Sequence, residues 1–547
     1  MAQIIPRPAA TLILLRDSEA GPEIFMLKRS PSAAFVANAY VFPGGGLDAA
    51  DHKALDRVRG LTEAEANRRL GVDTGGLAYW VAAVRECFEE AGILIAVEDS
   101  GAQLDPARAD ALAVHRKAVN AGTLAFGELL ERERLAIPAE SIAYFSHWIT
   151  APGRPRRFTA RFFVARAPLG QHGSHDDGET VASEWVRPSI ALERCAREEI
   201  ELVHPTRISL TDLALFERAA DAFAFASGRM DIEADASCWA EGKDGRKLFR
   251  RNDAAYAEIH WSDPEEAGET SYDLVPGVPK RLDRYVTRII APNPGMMTGP
   301  GTNSYLVGDD ELALIDPGPL VDSHIEALLS AGAGKIKWIL CTHTHMDHSP
   351  AARRIKEATG ATVLGRPAPR GASQDQGFAP DRVLEHGERI RVGPVTFRAV
   401  HTPGHASNHL CYLLEETRML FTGDHVMQGS TVVINPPDGD MRAYLASLEM
   451  LLAEDLAILA PGHGYLIGRP HKEVARLIAH RLAREAKVVA AMNKLGAATL
   501  EELLPAVYED VSPRLYPVAA RSLSAHLDKL AAERRAAETG GRWKLQG

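Results

Sequence analysis

Apolar and polar residues follow two different periods along the chain, and the changes between them mark the predicted elements. The β-rich runs at 10–15 and 24–27 predict a hairpin that leads into a turn-like PGGG at 43–46. Residues 77–91 instead carry apolar residues at helical spacing, and Gly92 supplies a stop signal. A helical pattern at 107–134, strands at 160–168 and 183–188 and a helix at 210–225 complete an α/β unit that ends near residue 235.

The pattern changes between residues 241 and 280, where periodicity is lost and charged residues, glycine and proline accumulate, so we expect a linker there. Beyond it, strands at 304–307, 312–315 and 338–341 alternate with helices at 323–329 and 350–358, which indicates helices stacked on sheets. A long helix at 470–495, further helices and a terminal hairpin predict a small winged helix. The expected fold class is α/β and α+β multidomain, with domains at 1–240, 281–483 and 484–547 and the linker at 241–280.

The composition is that of an ordinary globular protein. Of the 547 residues, 46% are hydrophobic and 25% are charged, which excludes the disordered, collagen-like and coiled-coil classes. The net charge of −11 argues against a broad phosphate-binding surface. Five scattered cysteines without C-x-x-C spacing predict buried thiols in a reducing compartment, and no apolar run approaches the ~20 residues of a membrane span. We therefore expect a cytoplasmic protein with no membrane partner.

The strongest chemical signal is a set of histidines and aspartates. THTHMDH places His343, His345, Asp347 and His348 within six residues, directly after an apolar strand. Metal sites need several imidazoles and carboxylates that converge on one point, and a loop at a strand end can aim alternating side chains inward. TPGHASNH, LFTGDH and APGHG add three candidates, each in a glycine-containing turn after an apolar run: His405, Asp424 and His463.

At these residues the chain resembles the metallo-β-lactamase superfamily over about residues 281–480. The segments TGPGTNSYLVG, LIDPG and IAHRLARE, with the winged helix, are similar to the β-lactamase-like-protein-2 subgroup, which includes a single-strand endoribonuclease. The resemblance implies an αββα sandwich that holds two divalent metals, and zinc suits the histidine-rich set. It also implies the ligands: His343, His345 and His405 for one metal, Asp347, His348 and His463 for the other, Asp424 as the bridge, and Asp347 as a catalytic residue.

Such a pair of metals predicts hydrolysis. Two divalent ions about 3.5–4 Å apart lower the pKa of a shared water and stabilise charge on an ester or phosphodiester oxygen. The substrate bond expected for the second half is therefore a thioester or a phosphodiester.

A second signal lies in the helical stretch 77–91. VAAVRECFEEAGILI puts Glu86, Glu89 and Glu90 at i, i+3 and i+4, so their carboxylates share one face of the helix. A divalent cation would relieve the repulsion among these charges, and hard oxygen ligands favour Mg or Mn over zinc.

RECFEEAGI matches the core of the Nudix box, and FPGG at 42–45 matches its glycine-rich entry. About 30 residues are inserted between them, and Leu77 stands where ordinary spacing places the box's upstream glutamate. With MLKRSPSAAFVANAYVFPGGGLDAAD and ITAPGRPRRFTARFFVA, residues 5–235 resemble the acyl-CoA diphosphatase subgroup of Nudix hydrolases. The resemblance implies an α/β/α sandwich in which Glu86, Glu89 and Glu90 bind Mg or Mn, Glu89 takes part in catalysis, and the catalytic-site Arg85 orients a glutamate.

The sequence therefore predicts a bifunctional metal-dependent hydrolase. Its N-terminal Nudix domain is expected to act on a nucleoside diphosphate or a CoA ester, and no substrate-binding residue is assigned. The alternative is an RNA-processing protein, in which the second half is a single-strand endoribonuclease and the Nudix domain is a decapping enzyme or a catalytically inactive binding module. The winged helix is expected to serve packing or homodimer formation rather than nucleic-acid binding.

Overall fold

The computed structural model describes residues 4–31, 37–176, 178, 180–230 and 232–546. Residues 32–36, which belong to the MLKRSPSAAFVANAYVFPGGGLDAAD motif, lie outside the described part. The chain divides into two compact units, Met1–Ser237 and Cys238–Gly547.

The first unit is built on a mixed sheet with helices on both faces. Its strands are β1 Arg7–Ser18, β2 Gly21–Arg29, β3 Tyr40–Val41, β4 Gly44–Gly46, β5 Val58–Arg59, β6 Val97–Glu98, β7 Leu135–Pro138, β8 Ile142–Ile149, β9 Phe158–Arg166, β10 Thr180–Val186 and β11 Ala234–Ala236. Its helices are α1 Glu63–Leu70, α2 Gly76–Ala91, α3 Pro106–Leu112, α4 Arg116–Asn120, α5 Phe126–Arg132, α6 Pro188–Ala196, α7 His204–Leu213 and α8 Ala219–Ser227.

The main sheet has the strand order β10-β2-β1-β9-β8-β11, and β1 and β9 are parallel. Successive residues of β1 point to opposite faces, because side chains alternate along a strand. Leu12 and Leu14 pack on the face that α2 covers, whereas Ile13 and Leu15 pack on the face covered by α6, α7 and α8. This confirms the α/β/α sandwich. The helix expected at 210–225 is instead two helices, α7 and α8.

The second unit contains two further central sheets. Its strands are β12 Cys238–Ala240, β13 Lys247–Phe249, β14 Lys280–Arg281, β15 Val286–Ile290, β16 Asn303–Gly308, β17 Leu312–Ile315, β18 Ile336–Leu340, β19 Thr362–Gly365, β20 Arg382–Val383, β21 Arg389–Val392, β22 Val395–His401, β23 Leu410–Leu414, β24 Met419–Gly423, β25 Ile458–Pro461, β26 Ala536–Thr539 and β27 Arg542–Leu545. Its helices are α9 Tyr256–Ser262, α10 Asp322–Gly332, α11 Ala352–Thr359, α12 Met441–Leu451, α13 Pro470–Leu495, α14 Leu500–Val507 and α15 Tyr516–Ala532.

The two sheets, β14 to β20 and β21 to β25, face each other across an apolar core. Tyr305 and Ile315 of the first sheet meet Phe397 and Phe421 of the second in that core. The outer face of the first sheet packs against α10 and α11, and the outer face of the second packs against α12 and α13. The αββα arrangement is therefore confirmed.

Helix α13 joins the sandwich to the winged helix without a break. Val474 and Leu477, in its first half, pack on the second sheet. Val488 and Met492, in its second half, pack with α14, α15 and the hairpin of β26 and β27. The boundary expected at residue 484 thus falls inside one continuous helix.

The segment 241–280 is folded rather than a linker. It contains the hairpin of β12 and β13 and helix α9, which share a small apolar core that includes Cys238, Tyr256 and Ile259. Glu258 of α9 is fully buried against Arg288 of β15. Several charged residues of the segment 241–280 form ion pairs within the folded unit. Because these residues interrupt the apolar periodicity, the sequence pattern did not reveal that the segment folds. In the described residues, no helix is both long and apolar enough to cross a membrane.

Candidate metal centres

Loops that follow β18, β22, β24 and β25 bring the histidine and aspartate candidates of the second unit together. A side chain at Gly462 would lie 2.6 Å from Asp424 Oδ1, so the turn after β25 approaches the aspartate as closely as only glycine allows. The ligand atoms form three overlapping groups, within each of which they lie no more than 4.8 Å apart: His343, His345 and His405; His343, His348 and Asp424; Asp347, His348 and His463.

Three imidazole nitrogens converge in the first group. His345 Nδ1 lies 2.9 Å from His343 Nε2 and 3.0 Å from His405 Nε2. When all three nitrogens carry lone pairs, none of them can donate a hydrogen bond to another. Three such atoms directed at one point are the ligands that a zinc-like cation takes.

In the third group, with Asp424 beside it, two carboxylates surround two imidazoles. Asp347 Oδ2 lies 3.3 Å from both His348 Nε2 and His463 Nε2. Asp424 Oδ1 lies 3.4 Å and 3.3 Å from the same two nitrogens, whereas Asp424 Oδ2 lies 3.8 Å from His405 Nε2. Asp424 therefore directs one oxygen at His348 and His463 and the other at His405, as a bridging ligand would.

The donor atoms fit a pair of divalent cations. His348 Nε2, His463 Nε2 and Asp424 Oδ1 are buried and make no hydrogen bond. Buried polar atoms almost always have a hydrogen-bond partner, so three atoms without one that face each other indicate a site for a bound group. Two cations, one at the first group and one at the third, would satisfy all of them.

The other nitrogens of these rings are held by the protein. His405 Nδ1 lies 2.8 Å from the Val433 carbonyl oxygen, and His348 Nδ1 lies 2.9 Å from Asp316 Oδ2. Such partners orient a metal-binding imidazole and raise its basicity. Asp316 also accepts from the backbone N–H of Thr342, at 2.7 Å, so it links the strand end to the ligand loop.

The electrostatics divide the cluster into two parts. Burial lowers the pKa of His343 far below its ordinary value and that of His345 to about 4, which keeps both imidazoles neutral. Burial also opposes charge on His463, but the carboxylates of Asp424 and Asp347 outweigh it and raise its pKa to about 9. The aspartate side of the cluster therefore attracts positive charge.

In the first unit, Arg85 occupies the centre of the candidate Nudix site. Its guanidinium lies 2.8 Å from Glu86 Oε1 and 3.2 Å from Glu89 Oε2. Asp51, in a 3₁₀ turn, pairs with the same guanidinium at 2.8 Å and 3.1 Å. Burial raises the pKa of Glu86 to about 7 despite the opposing charge of Arg85.

The glutamates of α2 line a shared surface but do not form one tight ligand group. Among the described residues, the groups of three or more metal-ligating side chains all lie in the second unit. Glu90 accepts instead from the backbone N–H of Gly44 at 2.9 Å, and Glu86 lies against Gly45. The glycine-rich entry and the glutamate helix are thus in contact. Mg binds through few carboxylates and several waters, so this arrangement suits it.

Three residues of these sites were missed by the sequence analysis. Asp51 supplies a carboxylate to Arg85. Leu77, which stands where the Nudix box usually has its upstream glutamate, is instead buried in the core. Asp316 accepts hydrogen bonds from Thr342 and His348, and Glu258 accepts one from the backbone N–H of Leu466, in the turn after the candidate ligand His463. Only LIDPG, which contains Asp316, gave any signal, because buried partners of a ligand follow no spacing rule.

Comparison with known proteins agrees with this geometry. Residues 297–463 match the family model of the metallo-beta-lactamase superfamily. The lactamase-like protein adaB of Aspergillus niger is 32% identical over 300 residues, which cover 51% of this chain and 90% of that protein. The chain belongs to the metallo-β-lactamase superfamily. Residues 499–543 match the beta-lactamase associated winged helix domain, and residues 57–213 match the NUDT19 Nudix domain.

Two further similarities each cover about one half of this metallo-β-lactamase superfamily member. The atrochrysone carboxyl ACP thioesterase of Aspergillus chevalieri is 33% identical over 287 residues, covering 49% of this chain and 88% of that protein. A Nudix hydrolase structure from Alicyclobacillus acidocaldarius is 24% identical and covers 40% of this chain and 96% of that one, with a TM-score of 0.33. The chain is a hydrolase, and both of its enzyme folds imply divalent metals.

Proposed function

We propose that the second unit hydrolyses a thioester and that the first unit hydrolyses the diphosphate of a CoA-like molecule or another nucleoside diphosphate. One chain would then cleave both the acyl bond and the diphosphate bond of the same kind of substrate. Relatives of the second unit that carry thioesterase in their names include proteins from Emericella nidulans, Aspergillus chevalieri and Aspergillus fumigatus. The five free cysteines support a reducing compartment such as the cytoplasm.

The observation that carries the thioester assignment is the charge of the loops around the cluster. Segments 291–302, 316–321, 341–351, 402–409, 424–440 and 461–468 contain no lysine or arginine. Proteins that bind single-stranded nucleic acid line the path of its backbone with positive charge. The loop after β19 contributes Arg366, which pairs with Glu385, and the exposed Arg370. So little positive charge favours an ester over a polynucleotide.

The candidate ligand residues also indicate which side chain carries the proton during hydrolysis. Bound metals lower the pKa of water and polarise the carbonyl of an ester, and zinc suits this donor set. Asp347 is the more exposed of the two aspartates, at 25% of its side chain against 11% for Asp424. Its Oδ2 is positioned by the Thr302 hydroxyl, which donates at 3.2 Å. We assign to Asp347 the proton that leaves the attacking water and ends on the released thiol.

In the first unit, Glu86, Glu89 and Glu90 would hold Mg or Mn against the diphosphate. Arg85 fixes Glu86 and Glu89 while Asp51 holds Arg85 from the other side. Water attack on the diphosphate of CoA would yield 3′,5′-ADP and a phosphopantetheine.

A product assay on the full chain tests both halves. With acetyl-CoA and Mg or Mn, mass analysis should find free CoA and acetate from the thioester, and 3′,5′-ADP and acetyl-phosphopantetheine from the diphosphate. Asp424→Asn should abolish the first pair of products and lower the metal content. Glu89→Gln combined with Glu90→Gln should abolish the second pair only, so each variant is the control for the other.

Two outcomes would overturn the assignments. Thioester hydrolysis that survives Asp424→Asn removes the metal cluster from that reaction. Cleavage of single-stranded RNA without any thioester hydrolysis would replace the proposal by the endoribonuclease alternative.

A further inference from the structure

Large apolar side chains are exposed around the metal cluster. Met296 and Met297 are 80% and 49% exposed, and Met346, between two ligand residues, is 61% exposed. Among the described residues, the methionines in this exposed group are these three and Met230 of the other unit. Single exposed apolar residues are ordinary, but several at one site mark a binding surface.

The loop that carries Met296 and Met297 is tied to the ligands at its base. Gly295 and Gly299 pair across the tip, and the Thr298 hydroxyl donates to the Asn293 carbonyl at 2.5 Å. Asn293 donates through its side chain to Thr302 Oγ1 at 3.0 Å, and the Thr302 hydroxyl reaches Asp347. The preceding Gly301 carbonyl lies 3.2 Å from His463 Nδ1. The two methionines are therefore held at the tip of a short hairpin whose base contacts two metal ligands.

A third loop with an exposed apolar side chain is hydrogen-bonded to the loop that carries His348. Leu320 is 58% exposed and lies two residues after Gly318, whose backbone N–H donates to the His348 carbonyl at 2.9 Å. We call Met296, Met297, Met346 and Leu320 the apolar rim. Its members come from three loops, each of which contains or hydrogen-bonds a ligand residue, so the apolar rim adjoins the metal cluster.

We propose that the apolar rim binds the acyl chain of the thioester substrate, so that the second unit prefers medium or long acyl groups to acetyl. This inference rests on the proposed thioesterase function. Methionine is unbranched and flexible and adapts to a flexible apolar partner. The absence of lysine and arginine from the ligand loops, noted above, also suits an uncharged chain.

The test uses acyl thioesters of N-acetylcysteamine, which contain no diphosphate and are therefore invisible to the Nudix unit. Their kcat/KM should rise from acetyl to hexanoyl to decanoyl, because each methylene that leaves water contributes binding energy. In a double variant, Met296→Gln with Met297→Gln, the ratio of decanoyl to acetyl kcat/KM should fall about tenfold, which corresponds to about 1.4 kcal/mol. Met230→Gln, an exposed methionine of the other unit, is the matched control and should leave that ratio unchanged.

Each other result has a defined meaning. A flat dependence on chain length in the wild type, or an unchanged ratio in the double variant with normal metal content, overturns the acyl-chain proposal while the thioesterase function stands. A double variant that loses self-association but keeps the ratio identifies the apolar rim as an interface between copies and likewise overturns it. Absence of hydrolysis for every chain length overturns the proposed function itself.

Discussion

Glu258 and Arg288 form a bidentate ion pair, with Arg288 nitrogens 2.5 Å and 2.9 Å from the two carboxylate oxygens, and both side chains are at most 1% exposed. The same pair holds the turn that follows His463. Arg288 donates to the Gly464 carbonyl at 3.2 Å, and Glu258 accepts from the backbone N–H of Leu466 at 3.1 Å. Helix α9 thus takes part in holding the turn of a candidate metal ligand more than 200 residues later in the chain.

Removal of the Glu258 charge should destabilise the second unit. Burial alone would raise the pKa of Glu258, but the charges of Arg288 and Lys280 outweigh it and hold the pKa below its ordinary value, so the carboxylate is charged at neutral pH. Glu258→Gln leaves two cations without their partner, and loss of one member of a buried pair costs about 3–5 kcal/mol. Urea unfolding at pH 7 measures this change.

The matched control for that variant is Glu357→Gln. Glu357 pairs with Arg353 at 3.0 Å on the surface, where the two side chains are 61% and 84% exposed. Exposed pairs contribute about 0–1 kcal/mol, so this variant should unfold at nearly the wild-type urea concentration. Equal effects of the two substitutions would contradict the role of the buried pair.

Asp316→Asn should weaken metal binding while it leaves the fold intact. Asp316 has a positive φ of 47°, which asparagine also adopts readily. The carboxylate, however, accepts from three donors: Thr342 N at 2.7 Å, Thr342 Oγ1 at 2.8 Å and His348 Nδ1 at 2.9 Å. An amide would turn a donor NH₂ toward one of them. Loss of such a partner typically lowers metal affinity about 10–100-fold.

Competition with a chromophoric chelator measures that affinity. Asp309→Asn, an exposed aspartate in the turn between β16 and β17, provides the control and should bind metal as the wild type does. If Asp316→Asn keeps wild-type affinity, the carboxylate does not tune His348.

Asp51→Asn should impair the Nudix unit. The carboxylate of Asp51 is 1% exposed and pairs with Arg85, which also pairs with Glu86 and Glu89. Since those two glutamates remain, the expected destabilisation is at the lower end for a broken buried pair, about 3 kcal/mol. Diphosphatase activity should then need a higher Mg concentration, because Arg85 would no longer be held in place to position Glu86 and Glu89.

Two variants make this prediction specific. Asp56→Asn alters an aspartate whose side chain is 74% exposed and should leave the Mg dependence unchanged. Leu77→Glu in the Asp51→Asn background should fail to restore activity, since Leu77 is buried in the apolar core. Restoration by that substitution would show that the usual glutamate position, rather than Asp51, serves Arg85.

Much of this architecture could be predicted from the sequence. Local patterns sufficed for β17 and α13, which have the predicted bounds, because apolar periodicity and strong end signals agree there. The seven candidate ligands of the second unit lie together in the structure. Four of them share the compact THTHMDH pattern, and the other three each follow an apolar run in a glycine-containing turn. Asp51 and Glu258 were not found, because a residue that acts through a buried partner 30 or more positions away carries no local signature.

The winged helix should lose stability in mild acid because of His526. This imidazole is buried, and neither of its nitrogens has a hydrogen-bond partner. Burial lowers its pKa to about 3, with a further contribution from the positive charges of Arg481 and Lys529. The unfolded chain takes up a proton below about pH 6.5 whereas the folded chain does not, so stability should fall as the pH drops from 6.5 toward 3. At pH 5 the loss is about 2 kcal/mol.

His526→Leu removes both the titrating group and the unsatisfied nitrogens. The thermal midpoint of this variant should change less than that of the wild type between pH 7.5 and pH 5, and it should be the higher of the two at pH 5. His471→Leu, at an exposed position of α13 in the same unit, should keep the wild-type pH response. If His526→Leu loses as much stability in acid as the wild type, the acid sensitivity comes from other groups.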